Sequence, residues 1–403
     1  MTILRSLKNT AFALLWSGQT ISRLGDTFYT VALALWVLEK TRSAATMGLV
    51  LIFASVPMLV LLLLGGVFVD RWPRLPIMVC SDLLRAAVVG LVALLALSGQ
   101  LAVWHLLVMS ALFGATSAFF YPAYQALLPD VVASADLPSA NSLKSISRQL
   151  AGLVGPGLAG LVVAGGGSWL AFAGDGLSFV VSACCLLAMP GRRTLRGSFV
   201  APAGVLKDLR QGVMTVARSP WLWITIVIAG ISNITLSGPF ETVLPLLVAR
   251  RTGDEAQIYG LLMTLSAAGS LLVALVLGHF KRLRWRGYGV YLPWLLAGLM
   301  LVLLGLSPAL AVMSLAACVW GACITALGLV WYNSLQELVP SELLGRVASI
   351  DALGSYALLP VGYALSGLAA DHLGPAPVFL IGGLVSALVI VLGLLHPAVR
   401  TLD

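Results

Sequence analysis

Long stretches without a charged side chain recur along this 403-residue chain and restrict it to one broad class of fold. They are Ala44–Val69, Ala86–Pro129, Gln149–Gly174, Ser219–Phe240, Gly287–Gln336, Ala352–Ala370 and His372–Val399. An apolar run of about 20 residues is long enough to cross a bilayer as a helix, and several of these runs can supply two helices. We therefore predict an all-α membrane protein with about twelve transmembrane helices. Continuous apolar runs argue against an outer-membrane barrel, in which hydrophobicity only alternates along each strand.

The composition excludes further classes of protein. Hydrophobic residues make up 60% of the chain and charged residues 10%, which excludes an ordinary soluble domain. The net charge of +8 is interpreted as basic loops at a membrane surface rather than as a nucleic-acid interface. The five cysteines lie in apolar segments without metal-ligand spacing, so we interpret them as packing residues. No phosphate-binding glycine loop or nucleophile–base set is visible, so we expect no enzyme activity, cofactor, metal site or direct coupling to ATP.

The basic residues predict an orientation in the membrane. With a cytoplasmic N-terminus, most of the 24 Lys and Arg residues fall on the cytoplasmic side, as the positive-inside rule requires. Arg23 then lies within the first span, and the outward-facing basic residues are Lys40, Arg42, Arg250 and Arg251. We predict a multi-pass protein of the bacterial cytoplasmic membrane with both termini in the cytoplasm.

Two sequence landmarks recur at nearly the same offset. Pro129 and Pro340 close similar turns 211 positions apart, and Gly66 and Gly278 each precede a basic turn and lie 212 positions apart. A shared offset predicts a parallel duplication into two pseudo-symmetric six-helix halves, with a chance match as the alternative. The predicted domains are an N-terminal half at 1–190, a cytoplasmic linker at 191–220 and a C-terminal half at 221–403.

Proline and apolar periodicity predict two local features. The fourth span is expected to end near Pro122, because proline interrupts the helical hydrogen-bond pattern. In the linker, Val205–Ala217 places its valines and Leu209 on one face, which predicts a short amphipathic helix at the membrane surface.

Asp26 is the first candidate for proton coupling. It lies roughly 21 Å past the inner end of the first span, near the membrane midplane. An ionised carboxylate at this depth is costly unless it faces water or a cation. Arg23 lies three residues earlier on nearly the same helical face, so a static Arg23–Asp26 ion pair is the alternative.

Glu241 and Asp175 are the other proton-coupling candidates. Glu241 follows Gly238 and Pro239, and a break in the helix there would free backbone groups to line a cavity. Asp175 lies toward the outer end of the sixth span. For both residues, a carboxylate at the membrane interface is the alternative.

Polar and aromatic residues within the spans are candidates for lining a substrate cavity at the midplane. Packing against lipid or in the protein core is the alternative for each aromatic residue. The candidates are Gln19, Arg23, Phe28, Tyr29, Phe119 and Trp331.

The apolar run Ala44–Val69 ends in a short charged motif at Gly66–Arg74, for which an ordinary charged turn is the alternative. This motif resembles the Gly-x-x-x-Asp-Arg-x-Gly-Arg loop between the second and third helices of major facilitator superfamily (MFS) transporters, with Pro73 in place of the last glycine. The resemblance implies that the loop secures the two halves on the cytoplasmic side in the outward-facing state. The gating residues so implied are Gly66, Asp70, Arg71 and Arg74, with Arg346 or Arg85 as a partner of Asp70.

The fifth span carries a run of glycines around a proline, namely Gly152, Gly155, Pro156, Gly157 and Gly160. Glycines permit close helix contact and proline bends a helix, so tight packing alone is one interpretation. The run also resembles the glycine–proline signature of exporters in the superfamily, which implies efflux.

Further similarity extends over nearly the whole chain. The segments Phe120–Asp130, Ala140–Leu143, Trp331–Pro340 and Gly345–Val347 are similar to the drug–proton antiporter branch that includes macrolide efflux pumps and the enterobactin exporter. We therefore predict a secondary active transporter that exports an amphipathic organic compound or drug in exchange for protons, by alternating access.

Other transport functions and a different class of protein are alternatives to drug export. They are a siderophore or metabolite exporter, a lipid flippase and a membrane receptor that does not transport. The expected partners are a small-molecule substrate, protons and the lipid bilayer, without nucleic acid. We expect a functional monomer, although the sequence leaves the oligomeric state open.

Overall fold

The structure, a computed structural model, describes residues 5–133, 136–190, 205–252, 255–277 and 285–402; at 62–71, 138, 205–210, 341–342 and 345 only the backbone is described. The first eight helices in chain order are α1 (Thr10–Thr41), α2 (Ala44–Arg71), α3 (Arg74–Leu97), α4 (Val103–Val131), α5 (Leu137–Gly166), α6 (Ser168–Ala188), α7 (Val205–Arg218) and α8 (Pro220–Ser232). Those that follow are α9 (Gly238–Arg251), α10 (Glu255–Leu277), α11 (Arg286–Leu306), α12 (Leu310–Leu338), α13 (Ser341–Tyr356), α14 (Leu359–Leu373), α15 (Pro375–Leu395) and α16 (Pro397–Arg400). A 3₁₀ turn at Arg5–Lys8 precedes α1, and a π-helical turn at Asn233–Ser237 joins α8 to α9.

Within the described part of the chain, twelve helical segments are long and apolar enough to cross a membrane. Helices α8 and α9 form one of them, at Pro220–Arg251, together with the π-helical turn between them. The described residues are almost entirely helical, as a chain must be when its backbone polar groups face hydrocarbon. The predicted all-α fold with twelve spans is confirmed.

The chain divides into two compact units. The first comprises Met1–Thr41, Leu49–Ala201 and Asp254–Gly260, and the second comprises Arg42–Gly48, Pro202–Gly253 and Leu261–Asp403. The boundaries predicted from sequence, at 190 and 220, stay a prediction, and residues 191–204 lie outside the described part of the chain. Helix α7 occupies the segment predicted to form an amphipathic helix.

Helix α4 continues beyond Pro122, where the sequence predicts its end. It passes through both Pro122 and Pro129 and ends at Val131. Proline removes one backbone donor, and neighbouring groups in a membrane protein can satisfy the carbonyl that is freed. The last turns of α4 also bury Tyr124 and Leu127 in the core of the first unit, and this packing favours a continued helix.

One polar contact occurs at equivalent places in the two units. In the first, Arg74 at the start of α3 forms an ion pair with Asp130 near the end of α4. In the second, Arg286 at the start of α11 forms an ion pair with Glu337 near the end of α12. Arg286 lies 212 positions after Arg74, the same offset that relates Gly66 to Gly278. The repeated contact supports the interpretation of the halves as a duplication.

Candidate functional site

Charged residues from three helices meet in the interior of the first unit. We call this group the polar cluster; it consists of Arg23 and Asp26 on α1, Asp82 and Arg85 on α3, and Asp175 on α6. Asp82 and Asp175 are 0% exposed and Arg85 is 7% exposed, whereas Arg23 and Asp26 are half-buried. Ionisable residues at such a depth in a membrane protein are costly and are usually functional.

Helical spacing and one glycine bring the cluster together. Asp82 and Arg85 are three residues apart and therefore share a face of α3. Helix α1 lies close to α6 at Gly25, where an added Cβ atom would lie 2.8 Å from Cβ of Ser178. This approach places Asp26, the residue after Gly25, beside the helix that carries Asp175.

A chain of hydrogen bonds ties the cluster to all three helices. The Gln19 side-chain amide donates to the Ser182 hydroxyl at 2.9 Å, and this hydroxyl donates to Oδ2 of Asp82 at 2.7 Å. On α6, the Ser178 hydroxyl lies 3.3 Å from Oδ1 of Asp175. The second carboxylate oxygens, Oδ1 of Asp82 and Oδ2 of Asp175, have no hydrogen-bond partner among the described residues.

Aromatic rings surround the Arg85 guanidinium. Its central carbon lies 4.5 Å from the ring centre of Phe120 and 5.2 Å from that of Phe113, and one of its nitrogens donates to the Ser117 hydroxyl at 2.9 Å. Cation–π contacts stabilise a charge that has left water. These contacts hold the Arg85 guanidinium inside the helix bundle of its unit. From this position its charge acts on Asp26, Asp82 and Asp175.

Arg23 and Asp26 do not form the static ion pair that is one interpretation of the sequence. The charges of Arg23 and Arg85 both act on Asp26, but the ion pairs of the described residues do not include Asp26. The Asp26 carboxylate is therefore influenced by two arginines without being bonded to either.

In the second unit, the predicted break beside Glu241 takes the form of a π-helical turn. The turn spans Asn233–Ser237 and is followed directly by Gly238 and Pro239. π-Helical turns within α-helices are frequent at functional sites. The Glu241 carboxylate, four residues after the turn, accepts a hydrogen bond of 2.5 Å from the Tyr363 hydroxyl.

A cavity of about 300 Å³ lies beside this turn, within the second unit. Glu241 and Asp351 contribute carboxylates to its wall, and Asp351 accepts a bond of 3.1 Å from the indole nitrogen of Trp331. Five aromatic side chains form part of the wall: Trp294, Trp320, Trp331, Tyr332 and Tyr356. A cavity with apolar walls and a few placed polar groups is the usual form of a site for a small organic molecule.

The predicted cavity residues have different positions. Trp331 lines the cavity of the second unit, whereas Gln19 belongs to the hydrogen-bond chain of the polar cluster. Tyr29 is 9% exposed and stacks on Phe113 with ring centres 5.2 Å apart, so it is packed in the core. Phe28 and Phe119 are half-buried, and a glycine of α6, Gly174, faces the Phe28 ring.

The glycine–proline run lies at two close helix contacts of the first unit. A Cβ atom at Gly155 would lie 2.8 Å from Cβ of Thr27 on α1. Gly160 faces Gly260, where an added Cβ atom would lie 3.3 Å from the facing Cα atom. Gly155 and Gly160 therefore serve close packing between helices, and the link of the run to export stays a prediction.

The predicted gating residues are described in part. The side chains of Asp70 and Arg71, and the surroundings of Gly66, lie outside the described residues. Arg74 donates to the backbone carbonyl of Ala126 at 2.9 Å as well as pairing with Asp130, and Arg346 donates to the side chain of Gln211 on α7. Arg85 lies in the polar cluster. The gating role of all six residues stays a prediction.

Several residues of both sites were not among the sequence candidates. They are Asp82 and Ser182 in the first unit and Asp351 and Tyr363 in the second. The two aspartates interrupt apolar spans, and this was an available signal, because an acidic residue within a span is a functional candidate by default. Ser182 and Tyr363 carry no such signal, since their role depends on the neighbouring helix.

These features together define a class of protein. Twelve membrane spans, a buried polar cluster and a separate aromatic cavity are typical of a secondary transporter. The whole chain, residues 1–403, matches the family described as transmembrane secretion effector, and the chain belongs to that family. It is therefore an MFS transporter of the efflux type and not an enzyme.

Curated relatives and solved structures are similar over almost the full chain. The macrolide efflux protein A of Streptococcus pyogenes is 24% identical over 396 residues, 96% of each chain, and the multidrug efflux pump Tap of Mycolicibacterium fortuitum is 28% identical over 387 residues, 94% of each. The staphyloferrin A transporter of Staphylococcus aureus is 24% identical over 90% of each chain. A peptide transporter POT superposes with a TM-score of 0.76 at 14% identity, covering 97% of this chain and 95% of that one.

Proposed function

We propose that this protein exports an amphipathic organic compound in exchange for protons, by alternating access. The observation that carries the proton coupling is the charge balance of the polar cluster. Three carboxyl groups, Asp26, Asp82 and Asp175, lie within reach of the charge of Arg85, and Arg23 acts on Asp26. With every group ionised, three negative charges face two positive ones, and uptake of one proton makes the cluster neutral.

Asp26 is the proposed exchange site within the cluster. It is half-buried, whereas Asp82 and Asp175 are fully buried, so it has the better access to water. Asp175 and Glu241 are proposed as further proton-coupling residues, since each lies within a membrane span. Proton binding biases transport only if proton affinity differs between the inward-facing and outward-facing states.

The substrate class is proposed from the cavity and from the relatives. Aromatic walls with a few polar groups suit a molecule that has both an apolar body and a polar group. Two relatives carry the names of a macrolide efflux protein and a multidrug efflux pump, and a third is named for staphyloferrin A. The cavity points first to small amphipathic drugs, and the names of the relatives add macrolides and siderophores to the compounds to test.

The proposed setting follows from charge distribution along the chain. We propose that the protein lies in the bacterial cytoplasmic membrane with both termini in the cytoplasm, because this orientation puts most of the basic residues on the cytoplasmic side. It is proposed to act as a monomer, because one chain supplies both the polar cluster and the cavity.

The test is efflux from cells that express the wild-type chain or Asp26→Asn, with a panel that includes a macrolide and ethidium. Asp26→Asn should abolish the part of efflux that a protonophore removes from the wild type, because the amide cannot exchange a proton. Expression and membrane insertion should be unchanged, since the substitution preserves side-chain shape. Glu39→Gln, which removes an exposed carboxylate at the end of the same helix, is the matched control and should behave as wild type. Full gradient-dependent efflux by Asp26→Asn would remove Asp26 from the mechanism.

A further inference from the structure

We infer that the cavity of the second unit selects organic cations, with Glu241 and Asp351 as the residues that determine this selectivity. The inference rests on the proposed function, because it treats the cavity as a place where the exported compound binds. It specifies that the exported compound carries a positive charge, and it assigns the selection for that charge to two carboxylates.

The described lining of the cavity carries two carboxyl groups and no basic side chain. Glu241 and Asp351 both line it, and the described lining residues include no Lys, Arg or His. The hydrogen-bond donors to these carboxylates are Tyr363, Trp331 and Ser355, all of them neutral groups. A bound cation would therefore supply the missing positive charge, whereas a bound anion would be repelled.

The aromatic wall favours the same class of ligand. The faces of Trp and Tyr rings attract cations through their quadrupole, most strongly where water is excluded. Two of the tryptophans are held in place by other rings: Trp320 stacks on Phe240 with ring centres 3.6 Å apart, and Trp331 meets the edge of Trp221 at 5.5 Å. Rings that are already fixed lose little conformational entropy when a ligand binds.

The carboxyl groups and the aromatic wall together define the class of ligand. It is an organic cation with an aromatic or aliphatic body, because both features of the lining favour a positive charge next to an apolar group.

The cavity volume also limits the ligand. About 300 Å³ is at the lower end of the range for sites that bind drug-sized molecules. A small quaternary ammonium compound with one aromatic ring fits this range, and its charge does not change with pH. Benzyltriethylammonium is such a compound, and benzenesulfonate is an aromatic anion of comparable size.

The experiment measures binding of these two probes to the purified wild-type protein by calorimetry or tryptophan fluorescence, without a proton gradient. Benzyltriethylammonium should bind at least tenfold more tightly than benzenesulfonate. Glu241→Gln and Asp351→Asn should each weaken binding of the cation by about tenfold, because each removes one uncompensated charge and preserves shape. Glu337→Gln is the control: it removes a carboxylate of the same unit that pairs with Arg286 outside the cavity lining, and it should bind as wild type does.

Every result of this experiment either supports or overturns the inference that the cavity selects cations. Equal or tighter binding of benzenesulfonate, no detectable binding of the cation at millimolar concentration, or unchanged cation affinity in both folded variants would overturn the inference. If either variant fails to fold, the comparison of the two probes on the wild type still decides. Cation selectivity without gradient-driven efflux would reject proton coupling and leave the binding site in place, so the two failures are distinguishable.

Discussion

Ser182 connects two helices to the buried Asp82. Its hydroxyl accepts from Gln19 on α1 and donates to Asp82 on α3, so one small side chain satisfies two polar groups that have no access to water. Asp82 and Ser182 are both 0% exposed. Leaving a buried polar group without its partner costs about 1–3 kcal/mol, more than the hydrogen bond itself contributes.

Ser182→Ala should therefore destabilise the protein by about 1–3 kcal/mol, because the Gln19 amide and Oδ2 of Asp82 both lose their partner. Thermal unfolding of the purified protein in detergent measures the loss as a lower midpoint. Ser98→Ala is the control, because Ser98 is exposed and its hydroxyl donates to the backbone carbonyl of Leu95, three residues earlier. Equal midpoints for Ser182→Ala and wild type would show that the hydrogen-bond chain contributes nothing to stability.

The candidate sites could be predicted from the sequence only in part. Asp26, Asp175 and Glu241 were identified because an acidic residue in an apolar span is conspicuous in any sequence. The position of Arg85 among aromatic rings depends on how α3 packs against its neighbours, and periodicity within one helix does not contain that information. The glycine and proline before Glu241 predicted a helix break whose freed backbone groups line a cavity; Glu241 itself lies in the lining of the cavity of the second unit, and its proton-coupling role stays a prediction.

Close helix contacts through glycine organise the elements of the first unit. Gly155 of α5 faces Thr27 of α1, and Gly25 of α1 faces Ser178 of α6. Each of these two helix contacts of α1 therefore has a glycine on one side. In a membrane, helices associate through such close packing rather than through the hydrophobic effect. The positions of α5 and α6 against α1 therefore depend on the absence of a side chain at these two points.

Gly155→Ala should destabilise the protein by about 1–3 kcal/mol, because the new methyl group would meet Cβ of Thr27 at 2.8 Å and the helices would have to separate. Gly165→Ala is a matched control on the same helix, where an added Cβ atom meets nothing within 4 Å. Alanine has a higher helix propensity than glycine, so the control substitution should be neutral or slightly stabilising. The difference between the thermal unfolding midpoints of the two variants separates the steric effect at Gly155 from the general effect of replacing glycine by alanine in a helix. A Gly155→Ala variant as stable as Gly165→Ala would contradict the close contact.

The elements themselves were largely predictable, and their exceptions have physical reasons. Apolar runs alone specify the number of spans, since hydrocarbon admits few backbone structures. The course of α4 through Pro122 was missed because a single sequence does not show whether neighbouring groups satisfy the freed carbonyl. The π-helical turn at Asn233–Ser237 was foreseen only as an interruption, since its geometry depends on α14, where Gly362 faces the turn.

On the scale of the whole molecule, the two units carry different parts of the proposed function. The first contains the polar cluster, and the second contains the aromatic cavity with Glu241 and Asp351. Transport requires that proton binding and substrate binding each shift one equilibrium between two states. The gating role proposed for Asp70 concerns that equilibrium and stays a prediction, because the Asp70 side chain lies outside the described residues.

The most direct test of proton-coupled export is uptake into everted membrane vesicles, in which the cytoplasmic face points outward. When the vesicle interior is acidified, the wild-type protein should accumulate a substrate identified from the compound panel, and a protonophore should abolish the accumulation. Substrate entry should also release protons from the interior, which a trapped pH-sensitive dye records. Accumulation only in right-side-out vesicles, or accumulation in everted vesicles that is indifferent to the proton gradient, would contradict the account.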